Sequence, residues 1–115
     1  MAAQFIKFEQ TGNAVVGLVV PSKVTEREAG VICDEVGAAA QNAGWRVALD
    51  LSEVMLLASA GLGALLTINK QCKAGGGALA VFGLSEEILG MIKLTKLDKV
   101  LQIRPDRDAA LKVLG

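Results

Sequence analysis

The chain has 115 residues, 52% of them hydrophobic but only 3% aromatic, with twelve basic and twelve acidic side chains and no histidine. Balanced charge and few aromatic rings argue against a nucleic-acid partner, and a chain without histidine lacks the commonest general base and metal ligand. No apolar run approaches the roughly 20 residues of a membrane span.

That length suits a single domain, residues 1–115, around one core of Val, Ile, Leu and Ala, a flavour that fits parallel strands and helices better than a β-sandwich. The opening MAAQFIKFEQ turns polar at once, unlike a signal peptide, so the chain reads as soluble and cytoplasmic. Gln4 to Glu9 alternates as a strand, Thr11-Gly12-Asn13 is a turn, and Ala14 to Val20 is an apolar run expected to pair with the first strand as a hairpin that Pro21 ends. Thr25-Glu26-Arg27-Glu28 is a capping box. From it Ala29, Ile32, Val36, Ala39, Ala40 and Ala43 recur at helical spacing, with Asp34, Glu35 and Gln41 on the opposite face and Gly44 as the stop.

Arg46–Asp50 reads as a buried parallel strand, and a loop then leads to a helix starting near Gly61. Leu62, Leu65, Leu66, Asn69 and Cys72 mark one face of that helix, and Gly75-Gly76-Gly77 stops it. Ala78 to Phe82 is a second buried strand, Ser85 caps a helix over Glu86–Lys93, Lys99 to Ile103 forms a last strand, and a helix runs from Pro105 or Asp106 through Leu114. The order β-β-α-β-α-β-α-β-α predicts an α/β fold, a mainly parallel sheet packed with helices.

Ser59 stands at the glycine-flanked start of a helix with no acid, base or metal ligand beside it. A phosphoryl group there would meet unpaired helix N–H groups and add charge to a small, apolar surface; the plainer alternative is an ordinary helix cap. Gly61-Leu62-Gly63 and the triple glycine match neither the P-loop nor the dinucleotide pattern, so no nucleotide or other cofactor is indicated. Cys33 and Cys72 form no CxxC pair and fall in apolar helical stretches, where they read as small core residues that label slowly; an enzyme built on either thiol is not favoured.

Three segments, DLSEVMLLASAGLGALL, KQCKAGGGALAVFG and LGMIKLTKLDKVLQI, resemble the STAS domain of anti-sigma factor antagonists, in order and spacing, over about two thirds of the chain. The resemblance implies a protein-binding module, in keeping with residues that offer neither a catalytic set nor a membrane span; the sequence leaves monomer and weak dimer both open. The module would bind an anti-sigma factor of the serine-kinase, GHKL ATPase type and be released when that kinase phosphorylates Ser59, with a PP2C-like phosphatase reversing the step. Ala60 replaces the second Ser/Thr of the family signature and Gly61 keeps its glycine, whereas Ala58 stands where the signature aspartate belongs. The family's Gly-Glu-Leu-Asp turn is replaced by Pro21-Ser22-Lys23-Val24-Thr25. Partner contacts are expected from Pro21, Ser22, Lys23, Thr25, Leu57, Ala58, Ser59, Ala60, Gly61 and Leu62, together with the outer flank of the helix through Ala74. The two turns should lie side by side, since parallel strands deliver their following loops to one sheet edge. Met55, Leu56 and Leu57 are candidates for an apolar contact patch, with at least two of the three expected in the core. The two departures leave open a STAS scaffold or accessory module, in a stress-signalling assembly or a lipid-transport system, that is not phospho-switched.

Overall fold

Strands with period-two alternation can bury both faces only if each face finds its own cover, and this chain sorts the two faces by size. The computed structural model describes residues 5–114. Five strands, Ile6–Thr11 (β1), Ala14–Val19 (β2), Arg46–Asp50 (β4), Ala78–Phe82 (β6) and Gln102–Arg104 (β7), form one sheet in the order β1-β2-β4-β6-β7. β1 and β2 are antiparallel and all other pairs parallel. Gln4, expected to open the first strand, lies outside the described residues. Gly12, at φ +61, takes the first position of the two-residue hairpin loop, where a tight turn of this hand demands glycine.

Val15, Val47, Leu49, Leu79 and Val81 point to one face of the sheet and join the larger core. Helices Glu26–Gln41 (α1), Ser59–Ala74 (α2) and Glu86–Leu94 (α3) cover that face through Ile32 and Val36, Leu65 and Ile68, and Ile88 and Ile92. Neighbouring parallel strands joined in one direction by crossovers of one hand must put their helices on one side. Helix Arg107–Leu114 (α4) is no crossover and takes the other face, where Ala48 and Ala80 let Ala110 and Leu114 approach closely.

The capping box forms with a twist. Glu28 accepts from the Thr25 N–H (2.9 Å), as the box requires, and also from the Thr25 hydroxyl (2.6 Å). These bonds, the hydroxyl's first, hold the Glu28 carboxyl below its ordinary range. Glu35 departs from the expected solvent face: half-buried, its carboxylate accepts the Phe5 and Ile6 N–H groups at 3.0–3.1 Å and ties α1 to the start of β1. The triple glycine lets α2 turn under Trp45. A Cβ on Gly75 would fall 2.1 Å from the indole and one on Gly77 2.1 Å from the Trp45 carbonyl oxygen.

At the C-terminal end Lys96 adopts φ +63 and opens a 3-10 turn over Leu97–Lys99. The last strand therefore starts at Gln102 instead of Lys99, and α4 starts at Arg107, one or two residues later than expected, with the Asp106 carboxylate accepting the Ala109 N–H (2.9 Å). No helix among the described residues is long and apolar enough to cross a membrane.

Candidate functional site around Ser59

Two two-residue strands that carry no readable periodicity build this region. Lys23–Val24 (β3) and Leu56–Leu57 (β5) pair in parallel, apart from the main sheet, with Lys23 opposite Leu56 and Val24 opposite Leu57. The Ser22 carbonyl accepts the Met55 and Leu56 N–H groups (2.7 and 3.0 Å), and the Val24 carbonyl accepts that of Ala58 (2.9 Å). The turn after β2 is thereby joined to the loop after β4. Upstream, the Asp50 carboxylate accepts the Ser52 N–H (2.9 Å) and closes the turn that leaves β4.

This ribbon also decides where α2 begins. Ala58, bonded to Val24, stays extended at φ −75, ψ 169 and occupies the N-cap position, and its carbonyl accepts the first helical bond from Leu62 (3.0 Å). The helix therefore starts at Ser59, within the expected opening Ser59-Ala60-Gly61, and Ser59 is its first helical residue. This corrects the helix-cap alternative: Ala58 holds the cap position and no side chain caps this helix. The Ser59 side chain is exposed, and its hydroxyl makes no hydrogen bond among the described residues. The N–H groups of Ser59, Ala60 and Gly61 likewise find no partner there, as the geometry of a helix start requires, and the first turn holds no acidic residue. Gly61 brings this helix start against the ribbon: a Cβ on it would lie 2.6 Å from Leu57 Cδ1, 2.8 Å from Val24 Cγ1 and 3.0 Å from the Val24 carbonyl oxygen.

The residues singled out from the sequence separate into two layers. Ser22, Lys23 and Ser59 are exposed, and Pro21, Ala58 and Ala60 are partly so. Leu57, Gly61 and Leu62 are buried, and Thr25 is half-buried with its hydroxyl bound to Glu28, so these four support the surface from beneath. The apolar trio inverts the expectation that at least two would be core. Met55 is 74% exposed and Leu56 50%, and only Leu57 is buried, because the short β5 turns a single side chain inward. Met55, Leu56 and Leu57 also line a shallow cavity of about 150 Å³ with Glu87, Ile88 and Met91 of α3. Val24 was not among the residues expected at the site, although its carbonyl and side chain hold both Ala58 and Gly61. A lone apolar residue between Lys23 and Thr25 is the signal that marks it.

Neither thiol is activated. Cys72 is fully buried, which pushes its pKa up to about 11. Burial, and then the Asp34 charge, raises that of Cys33, whose Sγ donates to the Ala64 carbonyl at 3.7 Å. Among the described residues no cluster of His, Cys, Asp or Glu is arranged to hold a metal ion.

An exposed serine at a helix start, following a strand and a short ribbon at the carboxyl edge of a parallel sheet, is the arrangement that the family comparison decides. Residues 6–104 match the family described as "Mlab, STAS domain". The chain belongs to the STAS family. Three solved STAS-like folds superpose on it. An anti-sigma factor antagonist from Mycobacterium paratuberculosis is 24% identical, with a TM-score of 0.82 over 95% of this chain and 92% of that one. An anti-sigma-factor antagonist (STAS) domain protein from Planctomyces limnophilus is 23% identical, with a TM-score of 0.81 over 94% and 96%. The Bacillus cell fate determinant SpoIIAA in its phosphorylated form is 16% identical, with a TM-score of 0.69 over 94% and 98%. At these identities the likeness is one of fold.

Proposed function

We propose that this STAS domain is a regulatory protein-binding module of the cytoplasm, without chemistry of its own. It acts as an anti-sigma factor antagonist that docks an anti-sigma factor of the serine-kinase, GHKL ATPase type and is switched by phosphorylation of Ser59. The observation that carries this reading is the exposed Ser59 hydroxyl, unbonded among the described residues, at a helix start whose first three N–H groups find no partner there, in the loop that also exposes Met55 and Leu56. A phosphoryl group adds a charge of about −1.5 to −2. For the fold that charge is favourable, since an anion at a helix start gains about 0.3–1 kcal/mol. For a partner packed over Met55 and Leu56 it is an unpaired charge to be desolvated, at about 3 kcal/mol or more. The modification therefore separates binding from stability, as a switch requires, and a PP2C-like phosphatase would restore the docking form.

A second reading is favoured by Ala58, which supplies no carboxylate beside Ser59 for a kinase to engage. It is a STAS accessory module, in a stress-signalling or lipid-transport assembly, that docks through the same surface without the switch. The test is a comparative pull-down from native lysate with wild-type, Ser59→Ala and Ser59→Asp baits, backed by thermal unfolding of all three. The switch predicts that the Asp variant unfolds no earlier than wild type yet loses an ATPase-type partner that the Ala variant keeps. The same partner on all three baits would replace the switch with the accessory reading.

A further inference from the structure

A groove of about 450 Å³, in the size range of small-molecule sites, lies on the flank of α3 away from Met55 and Leu56. It runs between α3 and the edge strand β7, from Leu84 and Arg104 at the carboxyl ends of β6 and β7 to Lys93, Asp98 and Leu101 ahead of β7. We infer that this groove binds a small monoanionic amphiphile, a carboxylate carrying an apolar tail of medium length. This inference stands apart from the docking reading and does not depend on it.

The floor is apolar. Leu84 follows β6, Leu101 and Ile103 bracket the start of β7, and Leu89 projects from α3. Leu101 belongs to the main core and Leu84 and Ile103 pack against it, so the floor of the groove is anchored in that core. Its charged residues are Lys93, Arg104 and Asp98, and none of them forms an ion pair among the described residues. Arg104 spends one N–H on the Ile103 carbonyl (2.8 Å) and keeps the rest of its donors.

Two cations and one carboxylate leave a net charge of one positive, which matches a monoanion and disfavours a polyphosphate. The carbonyls at the end of α3 would oppose an anion, but the Thr95 hydroxyl is directed at those of Met91 and Ile92 (3.2 and 2.9 Å). An apolar bed lined by two cations that form no ion pair among the described residues therefore discriminates by head-group charge as well as by tail.

The test is calorimetric titration of the full chain with sodium decanoate below its micellar range, with amide chemical shifts read in parallel. Saturable binding is expected, with shifts at Leu84, Leu89 and Ile103 and none at Ser59. Decanol and decyltrimethylammonium should bind about tenfold more weakly or worse, and Lys93→Gln or Arg104→Gln should each weaken decanoate about tenfold while leaving decanol unchanged. Lys93 is exposed, so its variant keeps the fold and the test survives if Arg104→Gln does not. Absence of saturable decanoate binding, equal affinity for decanol, or indifference to Lys93→Gln would each overturn the inference. So would binding to phosphatidylglycerol vesicles without binding of free decanoate, which would mark a membrane contact instead.

Discussion

Gly61 and Gly63 lie two residues apart in α2, and alanine at each should move stability in opposite directions. At Gly61 an added Cβ would stand 2.6 Å from Leu57 Cδ1 and 2.8 Å from Val24 Cγ1. The nearer of these is about 1 Å short of ordinary carbon–carbon contact. Neither neighbour can swing away, since Leu57 and Val24 are both buried and the Val24 carbonyl is held by the Ala58 N–H at 2.9 Å. Overpacking of this kind costs about 1–3 kcal/mol, offset in part by the roughly 0.5–1 kcal/mol that alanine gains over glycine in a helix. A net loss of about 1–2 kcal/mol is expected for Gly61→Ala. At Gly63 nothing lies within 4 Å of the added Cβ, so Gly63→Ala should stabilise by about 0.5–1 kcal/mol. The two variants should therefore differ by roughly 2 kcal/mol, or about 8 °C in Tm. Urea unfolding with equal m-values measures the difference. Equal stability of the two variants would refute the tight seat of α2 on the β3–β5 ribbon, and with it the account of how Ser59 is positioned.

Leu57→Ala should destabilise by about 2–4 kcal/mol in urea unfolding, whereas Met55→Ser should stay within about 0.5 kcal/mol of wild type and weaken only partner capture. Glu35→Ala removes a carboxylate acceptor from two backbone N–H groups. It should cost about 1.5–3 kcal/mol and speed hydrogen exchange at Phe5 and Ile6 before the rest of the sheet. With its pKa raised to about 11, Cys72 stays a thiol at pH 8, so a maleimide or disulfide reagent should modify it at the rate of global unfolding. Raising the pH toward 11 should destabilise the fold, because the unfolded chain releases this proton near 9 and the folded one does not, and labelling should quicken accordingly.

Local chemistry carried much of this protein. Arg46–Asp50 and Ala78–Phe82 are visible as strands because short apolar runs bounded by glycine or aspartate have few other uses, and Thr25 with Glu28 marks the start of α1 by residue type alone. The order of elements then implies a mainly parallel sheet, and the motifs around Ser59 point to the STAS family. What only the tertiary structure decided are the interactions between segments distant in the chain. A two-residue strand has no period to read, so the β3–β5 ribbon emerges only when the loops after β2 and β4 reach one sheet edge. That pairing keeps Ala58 extended, sets the helix start at Ser59, and turns Met55 and Leu56 outward while Leu57 goes in. Glu35 looked like a solvent-face residue because its partners, the first N–H groups of β1, lie about 30 positions away. Composition and spacing determine which elements form, since those are contests among near neighbours. Which side chains are left facing water is settled by long-range packing, because a short irregular segment takes its conformation from whatever it is packed against.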